Sequence, residues 1–151
     1  FNIAGIQTAA VSVPDPVLRH KVWRGLNTDE VAEPNAFAVC AAVAAFNGGG
    51  EWLDELRKYL FENKKTVREF ISNKIPALKV VPSEATYLLW IDCSALCYDD
   101  AELNRRIKQD ANLWLDPGNI FGAEGKMFQR INVATSREYL QRGLERFVEI
   151  L

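Results

Sequence analysis

Apolar and polar positions follow two rhythms along the 151 residues. Across 51–74, Leu53, Leu56, Leu60, Val67, Phe70 and Ile71 recur at three- and four-residue spacing, which predicts a long amphipathic helix ended by Pro76. The closing segment TSREYLQRGLERFVEIL repeats that rhythm, with Leu140, Leu144, Phe147, Val148 and Leu151 as its core stripe. Thr135 and Glu138 are spaced as a capping box for it, and Asp99 and Glu102 are spaced likewise before a third helix, DDAELNRRIKQDANL. Between these helices the period shortens. LKVV (78–81), TYLLWIDC (86–93), LWLD (113–116) and FQRINVA (128–134) read as short strands.

The first third has a different texture. Ile3–Val13 reads as a buried strand, and Asp15 and Pro16 open a helix as its N-cap and first residue. Residues 27–33 form a polar loop. From Pro34 a second helix, PNAFAVCAAVAAFNGGG, is apolar on nearly every side and needs cover on more than one face, before three glycines stop it. The fold class expected is α/β, with an α+β small domain: a short, mostly antiparallel sheet packed with helices. The expected division is residues 1–48 and 49–151. The apolar run at Phe1 opens without a cap or turn, so the chain is expected to be a piece of a longer protein.

Composition narrows the function classes. Hydrophobic residues make up 48% and charged residues 25%, with a net charge of −2, so nothing basic invites nucleic acid or a membrane surface. The apolar run Ala36–Phe46 is too short to span a bilayer. Cys40, Cys93 and Cys97 lack metal-ligand spacing, and His20 is the single histidine, so no zinc site or histidine-based triad is expected. Unpaired thiols fit a reducing compartment, the cytoplasm.

One residue breaks the strand pattern. In FQRINVATSR, Ile131 and Val133 face a core, while Arg130 and Asn132 share the opposite face. A guanidinium is a rigid two-pronged donor that fits a carboxylate, and an asparagine beside it can orient either partner; a surface salt bridge is the plainer reading. Arg137 lies in the first turn of the last helix, where a cation opposes the dipole, which suggests a specific partner or simple solvation. In LDPGNIFG, Gly118 and Gly122 can take angles closed to other residues. Thr86, Tyr87 and Trp90 on EATYLLWID are expected to be core.

FNIAGIQ, GGGEWLDELRKYL, ATYLLWID, DPGNIFG and RINVATSR, in that order, resemble the C-terminal part of fold-type-I pyridoxal 5′-phosphate (PLP) enzymes of the class I/II aminotransferase family. Within that family, the chain is most similar to the MalY/PatB-type cystathionine β-lyases (C–S lyases). The resemblance implies that residues 1–48 are the remnant of a large PLP-binding domain and 49–151 a small C-terminal domain. It implies a homodimer with an amino-acid substrate. Arg130 matches the family arginine that grips the substrate α-carboxylate, with Asn132 in support. The lysine that bonds covalently to PLP would lie two residues before Phe1, so no catalytic residue is expected in this chain and it is expected to be inactive alone. The chain departs from the family at Gln7, where many members carry an arginine for the cofactor phosphate, and at Ser136, where a proline is common.

The activity implied is β-elimination from sulfur-containing amino acids, giving a thiol, pyruvate and ammonia. The alternatives are an aminotransferase that passes the amino group to a 2-oxo acid, and a non-enzymatic α+β interaction module.

Overall fold

The computed structural model describes residues 1–30 and 33–151, so Val31 and Ala32 of the expected polar loop lie outside the described residues. The chain forms two compact units, Phe1–Glu55 and Leu56–Leu151.

In the first unit, helix α1 spans Pro16–Thr28 and begins as expected: Asp15 accepts a hydrogen bond from the Leu18 amide at 2.7 Å. The Ile3–Val13 strand does not form. Ala4–Ile6 make a single 3-10 turn, and the rest is irregular and largely exposed. A strand needs a neighbour for its ladder, and among the described residues none pairs with this run. Helix α2 covers Ala38–Gly48 rather than starting at Pro34. Asn35 delays it, because its side-chain oxygen takes the Phe37 amide at 3.0 Å in a local turn that competes with the helix. Of α2 only Ala38 is buried, while Val39, Val43 and Phe46, and Phe37 just before the helix, are exposed. The glycine run breaks the helix for one residue, since α3 follows directly over Gly50–Lys74.

The second unit is a four-stranded antiparallel sheet beneath helices. Its strands are β1 (Lys79–Val80), β2 (Leu88–Asp92), β3 (Asp116–Pro117) and β4 (Phe128–Asn132), in the order β1-β2-β4-β3. Pairing sets Leu89 against Ile131 and Ile91 against Gln129, which puts these four on one face. That face packs on Val67 and Ile71 of α3, Leu103 of α4 (Asp100–Arg105), Ile107 in the π-turn that follows, and Leu140, Leu144 and Phe147 of α5 (Arg137–Glu149). Leu88, Trp90, Asp92, Phe128, Arg130 and Asn132 occupy the other face. The fold class is the one expected.

Both capping boxes differ from expectation. Asp99 caps α4 through the Glu102 amide at 2.8 Å, but the Glu102 carboxylate turns to Arg105 and Arg106 instead of reaching back. Those hydrogen bonds hold its carboxyl down at about 2. At α5 the cap is Ser136, whose hydroxyl accepts from the Tyr139 amide at 3.3 Å. The Thr135 carbonyl is engaged by Asn63 at 3.1 Å, which keeps Thr135 outside the helix.

Candidate functional site

Strand β4 is central, so its alternation decides what each face displays. Toward the helices, Gln129 and Val133 are buried at 1% and 0% exposure. A buried amide must find partners. The Gln129 amide donates to Asn104 at 2.6 Å, and Asn104 donates to Asp100 at 3.2 Å. Asp100 also accepts from Asn119 at 2.5 Å and from the Met127 amide at 2.8 Å. This polar chain fastens α4, β4 and the 118–127 loop together, and it holds Met127 at φ 62°.

On the open face, Arg130 stands across from Asp116 in the β3–β4 ladder. Its Nε and Nη2 both donate to Asp116 Oδ2, at 3.0 and 2.7 Å. The guanidinium lies over the ring of Phe121, with its carbon 4.3 Å from the centroid. Trp90, paired with Arg130 across β2–β4, packs edge-on against Phe121 at 5.3 Å and Phe128 at 6.2 Å. Arg130 is thus held on one edge and one face, with its side chain 25% exposed. Among the described residues no acceptor meets Nη1.

The loop that brings Phe121 here depends on glycine. A Cβ on Gly118 would stand 2.1 Å from the Gly125 carbonyl oxygen, so the loop closes on itself only without a side chain there. Gly122 sits at φ 137°, a region other residues rarely enter.

The other sequence candidates fall as follows. Asn132 shares the face of Arg130, but its side-chain oxygen accepts from the Ala134 amide at 2.8 Å. Arg137 does have a specific partner: its backbone amide donates to the Tyr59 hydroxyl at 3.0 Å and its guanidinium lies 5.5 Å from that ring. Thr86, Tyr87 and Trp90 are not core. Thr86 and Tyr87 are exposed at the turn into β2, with Thr86 at φ 57°, and Trp90 is half-buried on the open face. Their strand buries Leu89 and Ile91 instead. The sequence reading missed Asp116 and Phe121. The alternation of Trp90 in phase with Leu88 and out of phase with Leu89 and Ile91 was the signal available for Trp90.

Two further groups are accounted for structurally. Lys64, buried on α3, donates to Ser83 Oγ at 3.1 Å and to the Ala85 carbonyl at 2.9 Å; burial and then Arg68 lower its pKa. The thiol of buried Cys93 is pushed up to about 12, first by burial and then by Asp92. No group of residues able to hold a metal ion occurs among the described residues. No described helix is long and apolar enough to cross a membrane.

The profile of the aminotransferase class I and II family matches residues 1–147. The chain belongs to that family. It is 40% identical over 146 residues to cystathionine β-lyase PatB of Bacillus subtilis, covering 97% of this chain and 38% of PatB. It is 30% identical over 145 residues to protein MalY of Escherichia coli, covering 95% of this chain and 37% of MalY. The fold superposes on the crystal structure of cystalysin from Treponema denticola, which contains a pyridoxal 5′-phosphate cofactor, with a TM-score of 0.93 at 29% identity. That match covers 99% of this chain and 38% of cystalysin. The chain therefore spans under two fifths of the length of these relatives.

Proposed function

We propose that this chain serves, within a longer protein, as the substrate-gripping part of a PLP-dependent C–S β-lyase that cleaves sulfur-containing amino acids to a thiol, pyruvate and ammonia. The observation that carries the reading is Arg130: a partly exposed guanidinium, held on one edge by Asp116 and on one face by Phe121. Its unengaged N–H groups suit a planar carboxylate, which they would hold bidentately. The similarity to PatB supports the lyase chemistry over others in the family.

In this reading the described residues supply the substrate end of such a site, and the lysine bonded to PLP lies outside them. Lys64, the buried lysine, is committed to Ser83 and Ala85. PLP, when bound, supplies an electron sink for the bond that breaks at Cα. The part played by this chain is to fix the substrate carboxylate and so the angle at which Cα is presented, which is a positioning contribution to rate. Asn132 would support Arg130 as the neighbour on its face. In this reading, residues 1–48 belong to the cofactor-binding domain and 49–151 to the small domain. The exposed apolar side chains of α2 find cover in the rest of the protein and its homodimer partner, and the chain alone is inactive.

The test is the full-length protein with PLP and L-cystathionine. Release of pyruvate, ammonia and thiol with no 2-oxo acid added as acceptor is expected. Turnover that instead requires a 2-oxo acid acceptor and returns a new amino acid would replace the lyase with an aminotransferase, the second reading, which the family match supports.

A further inference from the structure

We infer that Asp116 is a positioning residue for carboxylate binding: it orients Arg130 so that the guanidinium presents its terminal pair of N–H groups to the ligand. The inference rests on the reading of Arg130 as a carboxylate clamp.

A guanidinium carries five N–H groups in one plane. Asp116 Oδ2 takes two of them, from Nε and Nη2, at 3.0 and 2.7 Å. Both come from the same edge. What remains is the second N–H of Nη2 and the pair on Nη1. One N–H from each nitrogen points away from the side chain in parallel, and that terminal pair has the spacing of two carboxylate oxygens. Phe121 lies flat against the guanidinium, with 4.3 Å between the guanidinium carbon and the ring centroid, and so sets the plane in which the pair lies.

Two features mark the Asp116 contact as built in. The β3–β4 ladder places the two residues directly opposite each other, so backbone pairing fixes their approach. Asp116 is followed by Pro117 and Gly118, and Gly118 closes against the Gly125 carbonyl, so β3 and the loop carrying Phe121 are set by one stretch of chain. An ordinary surface ion pair lacks these constraints and adds little. A freely rotating arginine would lose rotamer freedom on every binding event, and Asp116 removes that cost beforehand.

The experiment uses the full-length protein with PLP. The wild type and three variants are compared by steady-state kinetics on L-cystathionine and by the Kd of propionate, a plain monocarboxylate probe, and those that keep Arg130 also by the NMR signal of its Nε–H. In the wild type, the Nε–H is expected to exchange with water more slowly than that of a solvent-exposed arginine. In Asp116→Ala the signal should lose this protection, and KM and the propionate Kd should each rise about tenfold, with kcat changing less. Asp116→Asn keeps an oxygen acceptor and should restore protection and return both constants to within about threefold of wild type. A merely structural aspartate would lower the folded fraction and leave KM and Kd per folded molecule unchanged. An unprotected wild-type Nε–H overturns the inference whether or not Asp116→Ala folds, as does an unchanged KM in Asp116→Ala. Arg130→Ala separates the two levels: unchanged propionate binding there would remove the clamp itself, whereas lost binding there with no effect of Asp116→Ala would remove only the role of Asp116.

Discussion

Asn63, wholly buried on α3, donates its side-chain amide to the carbonyl of Val133 at 2.9 Å, the residue that directly follows β4. The same amide reaches the Thr135 carbonyl at 3.1 Å, so one side chain satisfies two acceptors where the chain leaves the sheet and enters α5.

The first prediction follows from that clamp. Asn63→Leu keeps the volume and leaves the buried Val133 carbonyl and the part-buried Thr135 carbonyl without this donor. A buried unsatisfied carbonyl costs about 1–3 kcal/mol, and the change also removes the Asn63 Oδ1, itself buried without a partner, so the variant should lose about 1–3 kcal/mol. Asn63→Asp should be worse, since it aims a carboxylate at two carbonyl oxygens. Urea denaturation checks this; a midpoint unchanged in both variants would rule the clamp out as a stabilising element.

Gly143 offers the opposite case. It lies inside α5 beside a small apolar cavity lined by Leu113, Leu115, Ile131 and Leu144. A methyl group there would meet Leu113 Cδ2 at 3.8 Å, an ordinary contact. Glycine in a helix interior is about 1 kcal/mol worse than alanine, so Gly143→Ala should stabilise by about that amount. The expected result is a melting temperature raised by about 4–8 °C if the Leu56–Leu151 unit unfolds on its own.

Cys93 sets a dependence on pH. Its pKa rises from the ordinary 9.0 to about 12, so in alkali the unfolded chain loses the thiol proton before the folded one does. The stability is full below about 9 and falls as pH climbs to about 12, by at most about 1.4 kcal/mol per pH unit. Cys93→Ala should flatten that part of the profile even though it lowers stability at neutral pH. Denaturation curves taken across the alkaline range provide the check, and an equally steep fall in both proteins would exclude the thiol as its source.

Arg130 is decided by kinetics in the full-length protein. If Arg130 grips the substrate carboxylate as proposed, Arg130→Ala removes a charge-assisted contact worth about 1.5–3 kcal/mol per bond, and kcat/KM drops between about tenfold and several hundredfold. Arg130→Lys should recover only part of this, because an ammonium cannot reproduce the planar fork. A near-wild-type kcat/KM in Arg130→Ala, corrected for the folded fraction, would take Arg130 out of the site.

The sequence carries the second unit better than the first. Periodicity marks α3 and α5 because their apolar stripes pack on a sheet within the same unit. Ile3–Val13 misleads for the converse reason. A run of small and apolar residues says that something should cover it, but a strand exists only if another strand accepts its hydrogen bonds. The α5 cap is displaced by one residue because Asn63, 72 positions before Thr135, takes the Thr135 carbonyl, and no local pattern reveals that partner. At the site, Arg130 is legible because a charge interrupts an apolar strand. Asp116 and Phe121 are not, since they become neighbours of Arg130 only through the β3–β4 register and the fold of a glycine loop.

The two outer strands of the sheet, Lys79–Val80 and Asp116–Pro117, are each two residues long. An unpaired strand edge is a template on which another chain can add and aggregate. Here β1 offers too short a row of donors and acceptors to hold an incoming strand. At β3, Pro117 has no N–H to offer and so shortens the row further. The ends of the sheet are thus blunt, and the second unit should resist edge-to-edge polymerisation during expression and refolding.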